Sequence, residues 1–184
     1  MDMSWETLIN TDWHDYRGVA KDEDRLLNLL KPGWKTLLRE WWNIEGLDQP
    51  TPEAIEALQM LRTLLQRITR DIISERQIAE QDLEELNSYL EHSPSRLLLT
   101  QNENEFTLQR IPCTFDWSWL QAQIAASFAT LLAEYDLTRV KQCANPDCRW
   151  TYYDESNSKR RRWCDEDCAN IMRVRRFRER HHYP

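Results

Sequence analysis

The sequence predicts an α+β chain that is mostly α. A helical N-terminal domain with a small β-hairpin, residues 1–138, precedes a small C-terminal module, residues 139–184. Three observations carry this prediction. Long stretches place apolar residues three and four apart, the period of a buried helix face. One pair of short β-prone runs flanks a polar tetrapeptide. Four of the five cysteines crowd into residues 143–168, a segment too short to bury a core of its own.

At the front, "MSWETLINTDWHDYRG" is a short amphipathic element, helix or strand, ending at Gly18. "KDEDRLLNLLKPGWKTLLREWWNIEG" has helical spacing and is broken in two by Pro32-Gly33. Trp34, Trp41 and Trp42 read as core filling, since Trp buries a large area and needs one donor satisfied. The clearest helix is "TPEAIEALQMLRTLLQRITRDII". Thr51 suits the N-cap, Pro52 the first helical position and Glu53 the positive end of the dipole. Ile55, Leu58, Leu61, Leu65, Ile68 and Ile72 form its buried stripe. "AEQDLEELNSYLEH" is a further helix with Leu83, Leu86 and Leu90 on one face, stopped by Ser93-Pro94.

"SRLLLT" and "EFTLQRI" around "QNEN" make the hairpin, which is expected to pack on the helices because a lone hairpin is marginal. "DWSWLQAQIAASFATLLAEYD" is the last helix of the domain, with Trp117, Leu120, Ile124, Phe128, Leu131 and Tyr135 sharing a face. No linker separates it from the first cysteine of the module, so the module should dock on the domain. Nothing in the domain carries a catalytic signature such as a Gly-rich phosphate loop, G-x-S-x-G or H-E-x-x-H. Asp12, His14 and Asp15 read as a polar turn, and the odd Cys113 as a buried small hydrophobe.

Charge divides the same way. Residues 141–184 hold 11 Lys and Arg against 7 Asp and Glu, a balance of +4. Residues 1–140 hold 13 against 24, a balance of −11. An acidic body with a basic tail points to a polyanionic partner for the tail. No apolar run approaches the roughly 18 residues of a membrane span. The N-terminus lacks the basic and apolar regions of an export signal, so no membrane partner and a cytoplasmic location are expected.

The tail spacing is Cys143-x4-Cys148-x15-Cys164-x3-Cys168. Two close pairs of thiols separated by a loop suit a tetrahedral structural zinc ion. Two disulfides would need an oxidising compartment. Asn145-Pro146-Asp147 can curl the chain around the metal, and Cys164 and Cys168 fall one turn apart at a helix N-terminus. "RWTYYD" and "RRWC" read as two strands of a hairpin, which with the helix gives a treble-clef-like zinc finger. Beyond it "MRVRRFRER" continues the helix. Arg173, Arg176 and Arg180 form one stripe, Arg175 and Arg178 another, and Val174 and Phe177 between them dock the helix on the hairpin. Lys159, Arg160, Arg161 and Arg162 add a basic hairpin tip. Arginine suits bidentate contacts to phosphate and guanine, so these residues are the candidate contacts to double-stranded DNA.

The tail resembles the CGNR zinc finger of bacterial proteins. The likeness lies in C-A-x-P-x-C, the aromatic strand, D-x-S-x-S, R-R-W-C, C-x-N and R-x-R-R-x-R. Where that family has Cys-Gly-Asn-Arg, this chain has Cys168-Ala169-Asn170-Ile171. The body resembles the ABATE domain through "LINT", "LRTLLQRI", "LEELNSYL" and the later hairpin. The resemblance implies a stress-induced bacterial transcription regulator whose finger binds DNA. The expectation is a non-enzymatic, zinc-containing DNA-binding protein whose body either senses a small-molecule effector or forms a homodimer. The first alternative is an interaction module for RNA or protein. A nuclease would need histidines such as His181 and His182 to hold a second metal.

Overall fold

The computed structural model describes residues 4–13, 23–92, 94–102 and 105–181. The proposed His14, Asp15, Gly18 and His182 lie outside them, as do Ser93 and the centre of the "QNEN" turn.

The body is built on helices. A short helix α1 (Ser4–Ile9) leads into the two-residue strands β1 (Asp12–Trp13) and β2 (Glu23–Asp24), which pair antiparallel. A 3₁₀ turn over Arg25–Leu30 and helix α2 (Trp34–Trp42) are the two pieces separated at Pro32-Gly33. Gly33 adopts φ 92°, which halts the first piece and which glycine adopts without strain. Helix α3 (Pro52–Ile73) begins where expected, with Thr51 Oγ1 accepting from the Ala54 amide at 3.3 Å. Its stripe of Ile55, Leu58, Leu61, Leu65 and Ile68 is buried against α1 and helix α5 (Trp117–Glu134). On α5, Leu120, Ile124, Phe128 and Leu131 complete the core, and Trp5 meets Phe128 edge-on at 5.7 Å. Trp34 and Trp42 are buried and Trp41 packs against the core, so all three fill it.

A buried ion pair joins the front of the chain to α3. Arg62 Nη1 and Nη2 each lie 2.7 Å from a carboxylate oxygen of Asp24, a fork-on-fork pair with little exposure. Asp24 also accepts from the Leu26 amide, capping the 3₁₀ turn.

Three packing expectations fail in the body. Helix α4 (Glu80–Glu91) buries Asp82, Leu86 and Tyr89, whereas Leu83 is exposed. Arg67 of α3 bonds both Asp82 and Glu85, and this rotates the helix toward its acidic residues. Strands β3 (Ser95–Asn102) and β4 (Glu105–Pro112) form the hairpin, but they pack chiefly on each other. Leu97, Leu99, Phe106 and Leu108 fall on one face by register and are 61–67% exposed. Cys113, expected inside, is exposed just past β4, where its amide closes the hairpin base onto the Pro94 carbonyl.

After α5 a second 3₁₀ turn (Leu137–Arg139) leads into β5 (Val140–Gln142), which pairs antiparallel with β6 (Thr151–Tyr153). The chain ends in helix α6 (Glu166–His181). The module docks on the body through a side chain acting as a strand rung. Asn10 Nδ2 donates to the Thr151 carbonyl at 2.8 Å, and the Thr151 amide donates to Asn10 Oδ1 at 2.9 Å. Val140 and Tyr153 join the apolar core of the bundle. No helix among the described residues is long and apolar enough to cross a membrane.

Candidate metal centre and basic face

The strands β5 and β6 converge on a knuckle that holds the first two cysteines. The Cys143 amide donates to the Trp150 carbonyl at 2.8 Å, closing the loop, and the Cys148 amide donates to the Asn145 carbonyl at 2.9 Å. Asn145 is fully buried beneath them. Its Oδ1 accepts from the Asp147 amide at 3.3 Å, a local turn that Asn favours, and its Nδ2 points at Cys168 Sγ at 3.5 Å. Cys164 lies just ahead of α6 rather than on it, while Cys168 sits in the first turn. The Cys168 amide is capped by Asp165 Oδ1 at 2.7 Å.

The four Sγ atoms all lie within 4.8 Å of one another. Cys148 to Cys164 and Cys164 to Cys168 are each 3.7 Å. A tetrahedron with Zn–S bonds of about 2.3 Å has S···S edges of about 3.8 Å, so the donor set fits that ion. These separations are far from the roughly 2.05 Å of a disulfide. Amide donors already face the sulfurs, from Asn145 and from the Cys164 backbone, which lies 3.5 Å from Cys143 Sγ. Such donors stabilise thiolates around a metal. The thiols influence one another strongly. The bond from Cys164 brings Cys148 down to about 6, the same contact pushes Cys164 up, and burial pushes Cys168 up to about 12. Four thiols this close ionise together only with a cation among them, so the cluster takes Zn²⁺ as four thiolates and releases protons. Cys143, Cys148, Cys164 and Cys168 are thus all brought to one point, and the protein is a zinc finger in its C-terminal part.

The strand pairing inside the finger differs from the expected one. "RRWC" is not a strand; β6 pairs instead with β5, on the other side of the knuckle. The basic loop is fixed by a buried carboxylate. Asp154 has no solvent exposure, and it accepts from Lys141 Nζ (2.6 Å), Ser156 Oγ (2.6 Å), and the amides of Ser156 and Arg161 (both 3.0 Å). Burial alone would raise its pKa. Lys141 and the other donors outweigh that and hold it far below the usual carboxylate range. Lys141 also reaches the Lys159 carbonyl, and the Tyr152 hydroxyl donates to the Arg161 carbonyl.

The candidate DNA contacts separate into two groups. Arg161, itself exposed, is engaged by the protein: its guanidinium donates to the carbonyls of Trp163 and Cys164 and lies over the Tyr152 ring. Lys159 Nζ sits 2.5 Å from Asp136 of the body, whose carboxyl it pulls down to about 2. Arg175 is held by Asp147 at 2.5 Å. The others remain outward. Arg160, Arg162, Arg173, Arg176, Arg178 and Arg180 are exposed. Arg162 and Arg176 both lie over the Trp163 ring, at 5.3 and 5.5 Å. Val174 and Phe177 do not dock α6 on a hairpin. They are 49% and 52% exposed, and Phe177 stacks on His181 instead. Asn145 makes the turn expected of Asn145-Pro146-Asp147, whereas two residues that organise the finger were not singled out from the sequence: Asp154 and Trp163. Asp154 and Ser156 carried a signal in D-x-S, a sequence that closes on its own backbone.

Residues 7–135 match the family model of the ABATE domain, described as "Putative stress-induced transcription regulator". Residues 139–181 match the model of the CGNR zinc finger. No curated protein matches the chain.

Proposed function

Since the chain belongs to the ABATE family, joined to a CGNR zinc finger, we propose that it is a zinc-containing transcription regulator whose finger binds double-stranded DNA. The observation that carries this reading is the outward basic face. Arg160, Arg162, Arg173, Arg176, Arg178 and Arg180 remain exposed around Trp163 on a scaffold fixed by metal and by Asp154. A rigid array of guanidinium groups suits phosphates in register, and arginine adds bidentate reading of guanine. Lys159 and Arg175 are held in ion pairs and Arg161 by two carbonyls and the Tyr152 ring, so these three support the face, whereas Arg173 and Arg180 each make one bond within α6 and stay on it.

We read the protein as a binder rather than a catalyst. Four thiolates close the coordination of zinc and leave no position for substrate or water. Regulation of transcription also places it with the chromosome in the cytoplasm.

The test is selection of bound duplexes from a random pool by zinc-loaded protein, followed by titration against salt. Enrichment of a motif is expected. A log–log salt slope near −4.5 follows if about five phosphates are engaged. Folded, zinc-loaded protein that ignores duplex DNA at low salt overturns the reading. Preference for RNA in the same pool would favour the alternative interaction module.

A further inference from the structure

Helix α6 turns one side to the finger and leaves the opposite side to solvent. Cys168 is buried, Arg175 is tied to Asp147, and Met172 is half-buried beside it. At about 3.6 residues per turn, Val174, Phe177 and His181 fall on the far side as one row. All three are exposed. The Phe177 ring stacks on His181 with centroids 4.2 Å apart, and His181 Nδ1 lies 2.9 Å from the Phe177 carbonyl, so the ring is held along the helix.

Charge frames this row. Arg173, Arg176 and Arg180 border it on one flank and Arg178 on the other, all exposed. Arg173 Nη1 donates to Asn170 Oδ1 at 2.8 Å, and Arg180 Nε to the Arg176 carbonyl at 3.3 Å, which orders two of these arginines without an acid. The acids of the helix lie elsewhere. Glu179 falls on the finger side, between Arg175 and Met172 in projection. Glu166, Asp167 and the Cys168 thiolate belong to the first turn, about 13 Å or more before Phe177 along the axis. That exceeds the roughly 8 Å over which exposed charges act at physiological salt. Between Asn170 and His181 the outer side therefore carries arginines and no carboxylate.

A helix side that is apolar along its middle and cationic on both edges matches the major groove of duplex DNA. A helix about 10–12 Å across fits a groove about 12 Å wide with phosphates on both walls. The floor of that groove carries one apolar group, the C5-methyl of thymine, which side chains such as Phe can touch. Val174 and Phe177 lie about 4.5 Å apart along the helix axis, against a rise of about 3.4 Å per base pair, so they reach neighbouring pairs. Resting on the DNA reading above, we infer that α6 lies in the major groove and that Val174 and Phe177 read thymine methyl groups on adjacent base pairs. Arg173, Arg176 and Arg180 face the phosphates of one wall and Arg178 those of the other. An anionic membrane would also take the arginines, but an interfacial helix needs a broad apolar face, and this one is a single row.

The test uses full-length zinc-loaded protein and the duplexes enriched from a random pool. Adjacent A·T pairs are expected among the enriched positions. Replacing their thymines by uracil removes only the methyl groups, and should weaken binding about fourfold for each methyl contacted, the worth of one buried carbon. In Phe177→Ala and Val174→Ala, checked for zinc content and helicity, uracil at the matching position should make no further difference. The salt slope of both variants should equal that of wild type, because the phosphate contacts are the arginines'. Duplexes enriched without adjacent A·T pairs, or bound equally with thymine and with uracil, overturn the inference and leave the DNA reading standing. A uracil effect undiminished in both variants places the methyl contact elsewhere and overturns it too. Protein that ignores duplex DNA at low salt overturns both readings, and if it then binds phosphatidylserine vesicles through Phe177 the partner is a membrane.

Discussion

Replacing Asp154 by alanine should unfasten the basic loop without touching a metal ligand. The carboxylate accepts four hydrogen bonds, from Lys141 Nζ, Ser156 Oγ and the amides of Ser156 and Arg161. Its side chain is sealed from water, while Lys141 is 24% exposed. Breaking a buried ion pair from one side costs about 3–5 kcal/mol. Lys141, partly exposed, can turn to water and keep its bond to the Lys159 carbonyl. The lower end applies, about 3 kcal/mol, which lowers Tm by about 6–12 °C for a chain of this size. Urea melts of zinc-loaded wild type and Asp154→Ala measure it. Adding Lys141→Met should recover about 1 kcal/mol or more, since no charge is then left alone. DNA affinity should fall several-fold in the single variant as Arg160 and Arg162 lose their fixed positions. Asp154→Ala within about 0.5 kcal/mol of wild type, the range of an ordinary surface change, would refute the assignment of Asp154 as the anchor.

Other outcomes follow from the same contacts. Zinc assay on purified protein should find about one ion, the stoichiometry of one four-thiolate site, and Cys164→Ser should lose it while α3 and α5 stay folded. Affinity for zinc should fall as pH is lowered, because protons compete for the four thiolates. Asp24 is held below its ordinary pKa: burial pushes it up, and Arg62 and Gln59 outweigh that. Its stabilising contribution is therefore full above the unfolded value of about 3.9 and is lost as pH falls through the lower folded value. Acid titration of wild type against Asp24→Asn should show that part of the acid sensitivity missing from the variant. Leu99→Thr with Phe106→Thr should change stability by no more than about 0.5 kcal/mol in a thermal melt, since both side chains face solvent.

The parts legible in the sequence are those whose determinants are local. Helix α3 announces itself through Thr51, Pro52 and a stripe of period 3.6, and α5 through its own stripe and Asp116, which accepts from the Trp119 amide at 2.9 Å. The metal centre is legible because four cysteines at those spacings have few other uses in a short tail. Of the strands of the finger, the one in "RWTYYD" is legible and its partner is not, since three residues each are too few to show a period. The hairpin was found, but "RLLLT" puts leucine on both faces, and alternation cannot say which face a neighbour covers. Among the arginines the sequence weighs all alike. Whether a guanidinium meets phosphate or the protein's own carbonyls depends on how the chain folds back, as Arg161 shows.

The junction at Asn10 also bears on how such a finger can be inherited. Zinc fingers often pass between proteins as self-sufficient cassettes. Here the two short strands of the finger face the bundle with Val140 and Tyr153, and Thr151 takes both of its backbone bonds in that direction from one body side chain. Cut at residue 139 and grafted elsewhere, the module would carry its metal but expose a raw apolar seam. The two parts can change only together: a new finger needs a new rung, and a new body needs an asparagine where Asn10 stands.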